Sequence, residues 1–179
     1  MKLTTKRLAR AGVTAGIYAA ITLMLSFISF GPIQFRPAEA LTLLPAFFIE
    51  SPFALFVGCM LSNVITGSIY DIFLGSLITL VAGYLTRVIS IKIKNPFILG
   101  LPPIILNALL LPLVFSLYTV VDAYYVIAIS LLVSQIISVY LLGVPMYYQL
   151  EKMQKSGNKL FDKLPQSTKA LKDNLNKKV

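Results

Sequence analysis

Six apolar stretches, broken only where charge or glycine and proline intervene, account for nearly all of the first 150 residues. They fall at about 8–30, 38–50, 52–69, 71–91, 97–119 and 122–149, and between Lys94 and Glu151 the only charged residue is Asp122. A helix needs about 20 apolar residues to cross hydrocarbon, where its backbone must satisfy its own polar groups. The expected fold is therefore an all-α membrane protein of six transmembrane helices, with residues 1–150 as the transmembrane domain and 151–179 as a basic tail. The second stretch is the exception. It has about 13 residues and contains Pro45, too few to cross unless it tilts or the bilayer thins around it.

Composition agrees: 57% hydrophobic residues, 13% charged residues and a mean hydropathy of +0.81 lie far from a soluble domain. Met1 to Arg10 is basic, and Ala38-Glu39-Ala40 satisfies a small-x-small cleavage rule. The apolar stretch between them is too long for a signal peptide and further spans follow, so the first helix is expected to be retained.

The net charge of +9 belongs to the ends of the apolar runs, not to a surface that would hold nucleic acid. Lys2, Lys6, Arg7 and Arg10 precede the first run, Arg87, Lys92 and Lys94 lie around the end of the fourth, and eight lysines follow the sixth. Six spans with both termini in the cytoplasm place fifteen of the sixteen cations inside and leave Arg36 alone outside. That orientation suits a cytoplasmic membrane. The tail carries Leu160, Phe161 and Leu164, then Leu171 and Leu175, which suit short amphipathic pieces on the membrane surface or a frayed end.

Charged groups near hydrocarbon cost on the order of 2.5–3.5 kcal/mol each at mid-span, which makes them functional candidates. Phe30-Gly31-Pro32-Ile33-Gln34-Phe35-Arg36-Pro37 leads into Glu39, an acid at a helix start. Gln34, Arg36, Glu39, Asn63 and Asp71 fall at similar outer depth, with Tyr118, Asp122, Tyr124 and Tyr125 near them, while Asn107 and Gln135 sit deeper. Amides in spans commonly bond a neighbouring helix; set beside two carboxylates, they also suit a planar, hydrogen-bonding and even cationic solute. The first helix carries Ala11, Ala15 and Ala19 at spacing four, with Gly12, Gly16 and Ala20 parallel to them, a strip that admits close approach of another helix, internal or external.

Several chemistries are missing. There is no histidine, the single cysteine, Cys59, reads as a small buried hydrophobe, and no phosphate loop or nucleophile–base pair occurs, so no metal or cofactor is expected. If such a chain transports a solute, the energy has to come from another chain.

Phe30-Gly31-Pro32-Ile33-Gln34-Phe35-Arg36, Glu39-Ala40-Leu41-Thr42 with Leu44-Pro45, Gly58, Leu61 and Asn63, Asp71-Ile72-Phe73 through Gly75-Ser76-Leu77, Pro102-Pro103 with Asn107-Ala108, and Tyr140, Leu142-Gly143 and Pro145 resemble the QueT-type family. These are substrate-binding S components of energy-coupling factor (ECF) transporters, and the resemblance runs from about residue 8 to 149, leaving out the tail. It implies a bacterial cytoplasmic-membrane protein, not an enzyme, that imports a queuosine precursor: a 7-deazaguanine such as preQ0, preQ1 or queuine. It further implies a transmembrane coupling protein and two ATPases as partners. The Ala11, Ala15, Ala19 strip is similar to the alanine motif by which S components dock. Other readings are an S component for thiamin, riboflavin or a pyridine, or a small membrane enzyme using Asp71 and Glu39 as acid and base.

Overall fold

The computed structural model describes residues 4–29, 35–64, 68–117, 124–158 and 160–161. Among them every regular element is helical. Helix α1 (Thr5–Met24) and the short α2 (Ser26–Ser29) occupy the first apolar stretch, a 3-10 helix (Pro37–Ala46) the second and α3 (Ser51–Asn63) the third. The fourth starts as a π-helical turn, Asp71–Gly75, and continues as α4 (Ser76–Lys92). The fifth comprises α5 (Pro96–Leu99) and α6 (Leu101–Phe115). The sixth comprises α7 (Tyr124–Ile136), a π-helical segment (Ile137–Gly143) and α8 (Val144–Lys155). Asp71–Lys92, Pro96–Phe115 and Tyr124–Lys155 are each long and apolar enough to cross a membrane, while α3 is shorter. Outward-facing Val13, Phe53, Leu109 and Ile129 give the molecule the apolar exterior of a protein solvated by lipid.

The short second stretch crosses distance by changing its winding. A 3-10 helix rises about 2.0 Å per residue against 1.5 Å for an α-helix, so ten residues reach about 20 Å instead of about 15 Å. Runs of this length are uncommon because their hydrogen bonds are poorer, and this one is held from outside. Ala38, Glu39, Ala40, Thr42, Leu43, Leu44 and Pro45 are all buried. At its end, Arg87 Nη1 donates to the carbonyls of Pro45 (3.2 Å) and Ala46 (3.3 Å), acceptors that the end of the helix leaves open. On one flank the π-helical segment of the sixth stretch comes so close that a Cβ on Gly143 would stand 2.9 Å from the carbonyl oxygen of Ala40. Only glycine fits there.

Four apolar clusters fill the interior among the described residues, one of them formed by Leu44, Phe48 and Phe161 at the end of the 3-10 helix. Leu43, Leu99, Ile104, Val139 and Tyr147 pack at one side, Ile78, Leu111, Phe115 and Leu131 at another, and Tyr18, Ala38, Leu55 and Cys59 at the α1 side. Cys59 is free and buried.

Among the described residues, Lys6 and Arg10 gather at the end of the molecule where the 3-10 helix finishes. Arg10 Nε meets Glu50 Oε1 at 2.6 Å, its guanidinium lies 4.7 Å from the centre of the Phe48 ring, and its Nη1 donates to the carbonyl of Leu160 at 2.6 Å. Lys6 Nζ donates to the carbonyl of Phe161 at 3.0 Å, and the Phe161 ring stacks on Phe48 with centroids 5.2 Å apart. The described start of the tail is thus fastened to α1 and to the end of the 3-10 helix, and α8 runs five residues beyond the expected domain edge, to Lys155.

Candidate functional site

Glu39 stands in the first turn of the 3-10 helix, where the positive end of the helix dipole favours an acid, and it is 1% exposed. Both of its oxygens are engaged. Tyr18 Oη donates to Oε1 at 2.6 Å and Asn107 Nδ2 donates to Oε2 at 3.2 Å, so α1 and α6 meet the 3-10 helix at this carboxylate. The next turn is pinned by Thr42, whose hydroxyl donates to the carbonyl of Glu39 at 2.6 Å.

Arg36, which precedes the 3-10 helix, and Asp71, which opens the π-helical turn, form a buried ion pair with Nη2 and Oδ2 3.9 Å apart. The separation exceeds hydrogen-bond length, leaving a Coulombic pair at 3% and 1% side-chain exposure. Asn63 Nδ2 donates to the backbone carbonyl of Asp71 at 3.0 Å. The π-turn is a tight cradle: a Cβ at Gly75 would lie 2.8 Å from Asp71 Oδ1 and 3.4 Å from Asn63 Nδ2. π-Turns of this kind are frequent at functional positions, because an extra residue in the turn re-aims the side chains.

The structure thus brings Arg36, Glu39, Asn63, Asp71 and Asn107 into hydrogen-bonded or paired positions in the interior. Gln135 is fully buried on α7, but neither atom of its amide bonds another described residue. Gln34, Tyr118 and Asp122 lie outside the described residues. Tyr125 is exposed, and Tyr124 Oη donates to the carbonyl of Leu109 at 2.7 Å. Tyr18 was not among the residues singled out from the sequence. Its signal was a phenol amid the apolar face of α1, since a buried tyrosine hydroxyl needs a partner.

Several buried polar atoms lack a hydrogen-bond partner among the described residues: Asp71 Oδ1, Asn107 Oδ1, Ser138 Oγ and both amide atoms of Gln135. Leaving such atoms unsatisfied costs roughly 1–3 kcal/mol each. A solute with its own donors and acceptors would recover that cost. Among the described residues no group of three or more metal-ligating side chains occurs.

Ala15 and Ala19 are turned inward. At Ala15 the approach to α3 is close enough that a Cβ on Gly58 would stand 2.8 Å from its carbonyl oxygen. Ala11 and Ala15, with Leu8 and Gly12, also border an apolar groove of about 560 Å³ whose opposite wall carries Phe53 and Val57 of α3. Gly12 and Gly16 face open space, with no atom within 4 Å of the position a Cβ would take.

An apolar helical shell around buried charges and amides is the pattern of a multi-helix membrane protein with a polar interior. The family model described as QueT transporter matches residues 8–152, and the chain belongs to that family. As a member of a transporter family it is not an enzyme. A curated relative from Lactococcus lactis subsp. cremoris (strain MG1363), the queuosine precursor transporter QueT, is 37% identical over 82 residues. That match covers 45% of this chain and 48% of the relative, so the chain spans about half the length of the curated relative it matches. No solved structure matches the chain.

Proposed function

We propose that this chain is the substrate-binding S component of an ECF-type importer and that it takes up a queuosine precursor, a 7-deazaguanine such as preQ0, preQ1 or queuine. The observation that carries the reading is Glu39, buried, held by two neutral donors and still able to accept more. An ionised carboxylate has about four acceptor positions, and Tyr18 and Asn107 fill one on each oxygen. Adjacent N–H donors on the pairing edge of a deazaguanine match the remaining positions, and Asp71 supplies a further acceptor beside Arg36. A purine lacking those donors would leave buried groups unpaired and be rejected by orders of magnitude.

In this reading six spans cross a bacterial cytoplasmic membrane with both termini inside. The gathering of Lys6, Arg10 and Arg87 at one end and Arg36 at the other supports that orientation. Residues 1–150 carry the solute, and Gln34 is counted among the residues that contact it. The coupling protein lays a helix along the groove beside Ala11 and Ala15, with Ala19 supporting the α1 packing beneath, and two ATPases drive release.

Calorimetric titration of the detergent-purified chain with preQ0, preQ1 and queuine tests the ligand, with thiamin, riboflavin and pyridoxine as comparators. Tight binding of a deazaguanine and none of the comparators is expected. Tight binding of a comparator alone would overturn the assignment in favour of another vitamin.

A further inference from the structure

Tyr18 ties α1 to Glu39 through one hydrogen bond between two buried groups. Its place is fixed by the helix crossing behind it. A Cβ on Gly58 would stand 2.9 Å from Tyr18 Cβ and 2.8 Å from the carbonyl oxygen of Ala15, so α1 rests directly on the backbone of α3 at the level of this tyrosine. Ala15, Tyr18, Ala19 and Thr22 form the buried face of α1, and Thr22 Oγ1 returns a bond to the carbonyl of Tyr18 at 2.9 Å. The ring therefore has little room to move without the helix. On the far side of the carboxylate, Asn107 of α6 fixes the other oxygen.

We infer that Tyr18 is a positioning residue: it orients the Glu39 carboxylate so that its unfilled acceptor positions face the solute, and it makes solute affinity depend on where α1 stands against α3. The inference rests on Glu39 being a solute acceptor, as proposed above. It assigns the Tyr18 hydroxyl a role beyond the packing of its ring. A phenol held only for packing would be replaceable by phenylalanine. It also gives the α1–α3 groove a consequence, since a partner that moves α1 from that side stretches the Tyr18–Glu39 bond and loosens the solute from within.

Two double-mutant cycles, read as preQ1 affinity by calorimetry on the full chain, test it. Tyr18→Phe is expected to weaken binding about 10-fold, as loss of a hydrogen bond to a charged group does, and to change it less than about 2-fold when Glu39→Gln is already present. Gly58→Ala, which displaces α1 without touching the phenol, is expected to weaken binding by a similar factor with Tyr18 present and by less than about 2-fold in Tyr18→Phe. The second cycle stands alone if Glu39→Gln binds too weakly to titrate. Equal losses in both backgrounds, or full affinity in Tyr18→Phe, would overturn the role of Tyr18 while leaving the ligand assignment intact. A wild-type chain that binds no 7-deazaguanine would overturn both.

Discussion

Arg36 and Asp71 face each other across 3.9 Å in the interior, one just before the 3-10 helix and the other opening the fourth helical stretch. Two separate segments are thereby joined by a buried ion pair within the site. Taking one ion of a buried pair away leaves its partner undercompensated and typically costs 3–5 kcal/mol. Asp71→Asn is therefore expected to lower the unfolding midpoint markedly and to weaken deazaguanine binding, with both read on the same detergent preparation. Unchanged stability would mean that water compensates Arg36.

Glu39→Gln preserves shape, removes a charge and converts one acceptor into a donor. Breaking charge-assisted bonds loses about 1.5–3 kcal/mol, which corresponds to affinity roughly 10- to 150-fold weaker. Titration reads this directly. Full affinity in Glu39→Gln together with none in Asp71→Asn would transfer the recognition role to Asp71.

Arg87 holds the end of the 3-10 helix through two carbonyls. Arg87→Ala should cost about 1.5–3 kcal/mol in thermal or denaturant unfolding, with a smaller loss of solute affinity because Glu39 belongs to the element released. Arg87→Lys should recover only part of either, because an ammonium lacks the planar fork of the guanidinium. Complete recovery by lysine would reduce the role to charge.

The small residues of α1 divide into two classes that substitution separates. Ala15→Leu overpacks the crossing with α3 and is expected to cost about 1–3 kcal/mol of stability. Gly12→Leu meets open space inside the groove, so stability should hold or rise while co-purification with the coupling protein falls. If Ala15→Leu leaves the unfolding midpoint unchanged, α1 and α3 are not packed as tightly as the glycine at position 58 indicates.

Much of the site was legible because polar groups are conspicuous in apolar sequence. Glu39, Asn63, Asp71 and Asn107 stood out by residue type alone, and the structure gives each a buried partner. Tyr18 did not stand out, since tyrosine is common among membrane aromatics and only the fold aims its hydroxyl at an acid. The second stretch was recognisable as too short, yet its 3-10 winding depends on tertiary contacts such as Arg87 that lie 41 residues away. The two π-helical segments left no composition signal. Spacing four on α1 announced a close helix approach without saying which helix, and the answer at Ala15 is the chain's own α3. Gln135 was recognised as a buried amide, but what completes its hydrogen bonding lies beyond the side chains that surround it.

The drawn-out winding of Pro37–Ala46 also makes the length of this segment a constraint distinct from its composition. Inserting or deleting one residue between Glu39 and Pro45 would shift the acid about 2 Å along the axis and rotate it by about a third of a turn. Tyr18, Asn107 and Arg87 could not all be met after such a shift. A change in residue count in this segment would therefore strike at both of its ends at once.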